Sequence, residues 1–241
     1  MSELINFRDF GGLETTDGKK IKKGIFFRSG SYRDLLEEDR EYIKSLKIKN
    51  LHDYREPNEL DKDEKQIEMT ENFHPISASA HLGIFEQNTE ETVVVIDDKS
   101  MIDFYKKLPF DNPAYKNLFE TLMEEDAVPL LHNCTAGKDR TGIATALIQL
   151  SLGARMDSVL LDYMKSMDAY EYILENERRR LNGHSECSLM NKLSGLIIKP
   201  AYLNAAFDEI INKYGSFDEY FEKEFSLGSK EREILKLRYT E

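Results

Sequence analysis

Apolar positions along this chain follow two rhythms, and the change between them comes near residue 156. Ahead of it, short apolar runs alternate with amphipathic stretches; behind it, apolar residues recur at the three- and four-residue steps of a helix. Gly24-Ile25-Phe26-Phe27-Arg28 and Ile48 to Asp53 read as strands, the second delivering Asp53, Tyr54 and Arg55 to its C-terminal end. Thr16-Asp17-Gly18-Lys19 has hairpin-turn chemistry, because Gly18 can take a positive φ. Leu35, Tyr42, Ile43 and Leu46 supply the apolar face of a helix predicted from about Asp34 to Leu46. Residues 56 to 100 offer one further β-branched run, Thr92-Val93-Val94-Val95-Ile96, read as a strand or a packed lid segment.

Asp111-Asn112-Pro113 has the form of a helix start, a capping side chain before proline at the first helical position, and Leu118, Phe119, Leu122 and Met123 mark its buried face. Val128 to His132 is a short apolar strand. Ile143, Ala144, Ala146, Leu147, Ile148 and Leu150 are apolar nearly all round, as a central buried helix requires, and Gly153 can terminate it. Helices are predicted over Asp157 to about Arg180, Pro200 to Tyr214 closed by Gly215, Phe217 to Phe225, and Ser229 to Tyr239. Strand and helix alternating first, with helices later, predict an α/β fold: a central, mostly parallel sheet flanked by helices, with additional C-terminal helices. No repeat, low-complexity tract or linker divides the chain, so residues 1–241 read as a single domain.

Composition narrows the function. Hydrophobic residues at 40% and charged residues at 32% fit a globular chain. The net charge of -12 disfavours broad nucleic-acid or membrane-surface binding, so any phosphate site must be local. No apolar run approaches a membrane span, and MSELINFRDF lacks the apolar segment of a signal peptide; a cytoplasmic location is the default expectation. Cys134 and Cys187 match no zinc or CxxC spacing, which points away from a metal site or a disulfide framework. Arg178-Arg179-Arg180 sits among glutamates and reads as a solvated helix face.

The chemistry concentrates in Leu131-His132-Asn133-Cys134-Thr135-Ala136-Gly137-Lys138-Asp139-Arg140-Thr141-Gly142, a strand-loop-helix junction. The CX5R spacing puts Cys134 and Arg140 at the two ends of one loop. Backbone N–H groups turned inward, with a helix starting near Arg140, would make a nest for a phosphate dianion, and Ala136 and Gly137 keep that backbone approachable. Thr135, Ala136, Gly137, Lys138, Asp139, Arg140 and Thr141 are the candidate phosphate-binding residues. Arg140 offers a planar fork for two phosphoryl oxygens. The same positive environment would lower the pKa of Cys134 and make its thiolate the nucleophile, forming a cysteinyl phosphate that water releases. The nucleotide-binding loop GxxxxGK[ST] does not fit, because Asp139 follows Lys138.

This loop resembles that of the atypical bacterial protein tyrosine phosphatases. So do Asn6-Phe7-Arg8-Asp9-Phe10-Gly11-Gly12, Phe27-Arg28-Ser29-Gly30, Asp53-Tyr54-Arg55-Glu56, Tyr202-Leu203-Asn204-Ala205-Ala206-Phe207 and Tyr214-Gly215-Ser216, so the likeness spans nearly the whole chain. The resemblance implies a cysteine phosphatase-like fold and dephosphorylation of phosphotyrosine, in some members also of phosphoserine, phosphothreonine and phosphoinositides, with no metal or other cofactor. The implied partners are a phosphotyrosine protein or a phosphorylated small molecule or lipid head group. It also implies extra helices that can cover the site; residues 157–190 are the candidate lid, and a fixed helical layer is the alternative.

A tyrosine leaving group benefits from a proton donor. The chain has no Trp and so no Trp-Pro-Asp loop. Asp139 is the first candidate, Asp53 the second, with Asp97 and Asp98 as outsiders; either of the first two could instead be a structural carboxylate bonding loop amides or Arg8, Arg28 or Arg55. Lys138 would add charge toward a phosphate, or lie solvated at the rim. Thr141 could bond the thiolate or cap the helix, and Arg8, Asp9 and Arg28 read as bracing groups. The chain departs from the family before the nucleophile, where Asn133 replaces the usual His; Asn133 is expected to hydrogen-bond backbone near Cys134, while His132 faces the opposite side of the strand. The competing readings are a phosphoinositide or inositol-phosphate phosphatase, and a non-catalytic phospho-ligand binding module.

Overall fold

The computed structural model describes residues 4–32, 35–60, 70–79, 97–180 and 197–241, with the backbone alone for 176–180. One sheet of five strands has the order β1-β2-β5-β3-β4: β1 (Arg8–Asp9), β2 (Phe26–Ser29), β3 (Asn50–Asp53), β4 (Asn72–Pro75) and β5 (Leu130–Asn133). β2, β5, β3 and β4 are parallel, and β1 alone runs antiparallel, against β2. The sheet is therefore mostly parallel, as the alternation of elements predicts. β5 lies at its centre, so the loop leaving its C-terminal end opens between the ends of β2 and β3, where ligands bind in open α/β sheets.

Side chains alternate across a strand, so Phe26 and Phe27, or Leu130 and Leu131, feed two different cores. Phe27, Leu51 and Leu131 pack with Leu35, Ile43 and Ile48 on the side of helix α1 (Glu37–Ser45). Phe26 and Leu130 face a larger core built by α3 (Pro113–Met123), α4 (Arg140–Ser151) and the later helices. Every residue of α4 except Leu150 is buried, which is why its apolar residues form no single stripe. Burial of each of Ile143, Leu147 and Ile148 contributes about 1.5–3 kcal/mol.

Local signals place several boundaries. Asn112 caps α3 by accepting from the N–H groups of Ala114 and Tyr115, with Pro113 in the first turn. At the other end of α3, Arg238 donates to the carbonyl of Met123 at 2.6 Å and Tyr239 to that of Leu122 at 2.8 Å. Those donors come from α9 (Ser229–Tyr239), which follows α7 (Pro200–Tyr214) and α8 (Phe217–Phe225). Gly215 ends α7 with φ +78, a left-handed conformation that glycine adopts without strain. No helix of the described residues is long and apolar enough to cross a membrane.

Two stretches differ from expectation. The predicted helix over Asp157 to Arg180 is two helices, α5 (Met156–Met164) and α6 (Tyr170–Arg180), joined by a 3-10 turn at Lys165–Ala169. At that break Arg8 donates to the carbonyl of Asp162 at 3.0 Å, and both Asn6 and Arg8 reach the Ser166 hydroxyl. Tertiary partners at the joint thus override a continuous apolar period. The second difference is α2 (Asp98–Lys107), capped by Asp97 accepting from the Ser100 N–H, together with β4; both fall at or within the stretch that sequence pattern left mostly unassigned. The run Thr92 to Ile96 and residues 181–190 of the candidate lid, Cys187 included, lie outside the described residues, as do the side chains of Arg178 to Arg180.

Candidate active site

Residues 134–139 connect the end of β5 to the first turn of α4. Their carbonyls are tied from behind. The Thr135 carbonyl accepts from the Ser31 N–H at 2.9 Å, and that of Gly137 accepts from Arg28 Nη2 at 2.6 Å and from Asn6 Nδ2 at 2.8 Å. Asn6 also reaches the Ala136 carbonyl at 3.4 Å. A trans peptide sets each N–H opposite the preceding C=O, so the amides of Ala136, Gly137 and Lys138 turn the other way, toward the loop's centre. Gly137 has φ +66, and a Cβ there would stand 2.4 Å from the Ser29 carbonyl oxygen, so β2 can approach the loop only where a side chain is missing.

Cys134 is 2% exposed and precedes this nest, with α4 beginning at Arg140. Positive charge surrounds it: Arg28 and Arg140 both interact electrostatically with its thiol, and the N-terminal end of α4 adds a partial charge of the same sign. Burial, then the neighbouring charge of Arg8, lower the pKa of Arg28 to about 9. Arg28 and Arg8 lean on the buried carboxylate of Asp162 in α5. Asp9 accepts from the N–H groups of Gly11 and Gly24, bracing the adjoining turn.

Arg140 is fixed by a residue that sequence reasoning missed. Glu59 Oε2 accepts from Arg140 Nη1 at 2.5 Å and Oε1 from Nη2 at 2.8 Å, a bidentate fork. Oε1 also accepts from the Thr135 hydroxyl and Oε2 from the Glu56 N–H. Burial alone would raise the pKa of Glu59, but Arg140's hydrogen bonds and charge outweigh it and pull the value down to about 2. For Arg140, burial works against the charge while Glu59 more than offsets it, so its pKa stands above the ordinary value. The signal available in the sequence was Glu56-Pro57-Asn58-Glu59, a capping box closed around the 3-10 turn Pro57–Glu59 that directly follows Asp53-Tyr54-Arg55.

The two candidate acids have unlike settings. Asp139, its side chain 21% exposed, accepts at Oδ1 from Tyr105 Oη at 2.6 Å and from Lys138 Nζ at 2.8 Å. Lys138 is buried in that pair, so it is not a solvated rim lysine. Asp53 is 1% exposed and takes the Arg55 guanidinium at both oxygens, Oδ1 at 3.0 Å and Oδ2 at 2.7 Å, plus the Arg55 N–H. Asp97 and Asp98 lie at the start of α2, Asp98 bonded to Lys199 and Tyr202.

Two expectations next to Cys134 do not hold. Asn133 makes no hydrogen bond through either amide atom among the described residues, although it is buried. Strand register sets it between Ser29, whose hydroxyl donates to Tyr32, and Asp53, which Arg55 occupies, so its in-register neighbours are already engaged. The Thr141 hydroxyl is likewise buried without a hydrogen bond to Cys134 or to any described residue. His132 points to the other face, its ring nitrogens at 3.1 Å from the Tyr54 hydroxyl and 3.0 Å from that of Thr145. Burial, and then the charge of Arg28, keep its pKa well below the ordinary value, so it is neutral. Among the described residues no three His, Cys, Asp or Glu side chains gather as a metal site would require.

A family model described as the tyrosine phosphatase family matches residues 1–241. A protein of Cupriavidus necator, provisionally named a tyrosine-protein phosphatase, is 28% identical over 225 residues, covering 90% of this chain and 80% of its own length. The triple specificity protein phosphatase PtpB of Mycobacterium tuberculosis is 29% identical over 132 residues, 50% of this chain and 48% of its own.

Proposed function

The chain belongs to the tyrosine phosphatase family, and from that premise we propose that Cys134, Arg140 and Asp139 carry out phosphotyrosine hydrolysis in two steps. The Cys134 thiolate attacks phosphorus and the P–O bond to the tyrosine oxygen breaks, with Asp139 giving its proton to the leaving oxygen. Water, deprotonated by Asp139, then attacks the cysteinyl phosphate, releasing inorganic phosphate and restoring the thiolate. The amides of Ala136, Gly137 and Lys138, with Arg140, stabilise the charge on the equatorial oxygens. The observation that carries this reading is the loop itself: carbonyls bonded on one side, which trans-peptide geometry sets opposite the amides, and the Arg140 plane held by Glu59 at the end opposite Cys134.

Lys138 bears on the substrate class. Its ammonium pairs with Asp139, so a second phosphate would have to draw Lys138 away from the acid. That supports a phosphotyrosine monoester over a phosphoinositide as the preferred substrate. Phosphoserine and phosphothreonine, which the family resemblance implies for some members, are slower substrates in this reading. The test is turnover of 4-nitrophenyl phosphate in EDTA by wild type and Cys134→Ser, followed by phosphotyrosine, phosphoserine and inositol-phosphate substrates side by side. Wild-type turnover that Cys134→Ser abolishes is the expected result; equal rates would remove the cysteine mechanism.

A further inference from the structure

Tyr105, on α2, is buried and has no counterpart in the loop motif, yet its hydroxyl lies 2.6 Å from Asp139 Oδ1. A carboxylate oxygen can only accept here, so the single Tyr105 proton is spent on Asp139. The Tyr105 oxygen is also 2.8 Å from the Tyr163 hydroxyl, and with Tyr105's proton committed, Tyr163 must be the donor of that bond. The chain of hydrogen bonds therefore has one direction: Tyr163 to Tyr105 to Asp139. Gly142 makes room for it, because a Cβ there would stand 3.2 Å from the Tyr163 ring.

Resting on the reading of Asp139 as the acid, we propose that Tyr105, oriented by Tyr163, is a positioning residue that directs the transferable proton of Asp139 to Oδ2. Tyr105 and Lys138 both donate to Oδ1, and no hydrogen bond reaches Oδ2 from the described residues. Oδ1 accepts whether the group is a carboxylate or a carboxylic acid, provided that the proton sits on Oδ2. The network thus survives both halves of the reaction and keeps one oxygen for proton transfer. Burial, with the charge of Asp139, pushes the pKa of Tyr105 well above its ordinary value, so it stays a donor throughout the assay range. Arg28 on β2, Arg140 on α4, Tyr163 on α5, and Tyr202 on α7 with its partner Asp98 are also electrostatically coupled to this site.

The experiment is the pH dependence of kcat for Tyr105→Phe on phenyl phosphate and 2,4-dinitrophenyl phosphate, with thermal melts. Removing a hydrogen-bond donor that favours the charged carboxylate moves the alkaline limb of the kcat profile up by about one pH unit. Loss of orientation lowers kcat about tenfold on phenyl phosphate, a fraction of the full contribution of an acid, and less on the dinitro ester. Tyr163→Phe, which keeps the Tyr105 bond but removes its support, shifts the same limb in the same direction by less; it carries the test if Tyr105→Phe fails to fold. An unmoved limb with equal losses on both esters overturns the proposal. Asp139→Asn is run in parallel. If it affects both esters equally, the acid reading falls and this inference with it; if it is leaving-group dependent while the tyrosine variants are not, only the role of Tyr105 falls.

Discussion

Asp53 closes β3 and Asp139 lies in the loop beyond β5, the strand paired with β3, and each has a basic residue one or two positions away. At Asp53 the guanidinium of Arg55 covers both carboxylate oxygens and the pair is dry. At Asp139 the lysine and tyrosine donors share a single oxygen, and part of the side chain reaches solvent. A buried carboxylate engaged on both sides is inaccessible, which suits a structural tie. One held by a single oxygen is oriented yet able to exchange a proton. Identical side chains are thus separated by how many of their lone pairs the fold consumes.

The largest test of this contrast is Asp139→Asn, expected to lower kcat on phenyl phosphate by about 10² to 10⁴, and less on a dinitrophenyl ester whose leaving group needs no proton. The same leaving-group dependence in Asp53→Asn would break the contrast. Asp53→Asn should instead cost about 3 kcal/mol of stability in urea unfolding, because it removes one charge of a buried ion pair.

Next comes pH. His52 stacks on His74 at 4.4 Å across β3 and β4, and burial, then the His74 ring, lower the pKa of His52 to about 3. Burial lowers His74 too. The unfolded chain therefore binds more protons than the folded one below about pH 6.5, and stability falls with pH from there. For His52 the loss is about 2 kcal/mol between pH 6.5 and 5. Denaturant midpoints should show it, and His52→Gln should flatten the slope. An unchanged slope would mean that the β3 end is wetter than the Asp53 pair indicates.

The smallest effect belongs to Glu59, which follows the Asp53 region in the chain and joins it to the loop. Glu59→Gln keeps the shape but weakens the grip on Arg140, and kcat/KM should fall about tenfold, roughly 1.4 kcal/mol, equally for all esters. A selective loss on poor leaving groups would place Glu59 with Asp139 instead.

Much of this site was legible before any fold was known, because a phosphate loop is a local object. CX5R spacing, Gly137 and the following apolar helix lie in one short stretch whose geometry depends on its own backbone. Asn112-Pro113 and Gly215 were readable for the same reason, since caps act within one turn. β4 was not, because none of its side chains is buried: Asn72 and Pro75 are exposed, Phe73 and His74 half-buried, with no apolar stripe. The break in the predicted 157–180 helix was not, because the side chains that define it come from Asn6 and Arg8.

By itself, then, the sequence pointed to Cys134 as the candidate nucleophile and determined the loop that surrounds it, the mostly parallel sheet beneath it and the helical C-terminal half. Tertiary structure alone decided which carboxylate is tied to arginine and which remains open. It alone brought Glu59 to Arg140, placed Tyr105 and Tyr163 behind Asp139, and left Asn133 and the Thr141 hydroxyl without hydrogen-bond partners among the described residues. The reason is that a hydrogen bond depends on direction and on competing partners a few ångströms away, and Tyr105 and Glu59 arrive from positions 34 and 81 residues distant along the chain. Periodicity and spacing carry no information about them.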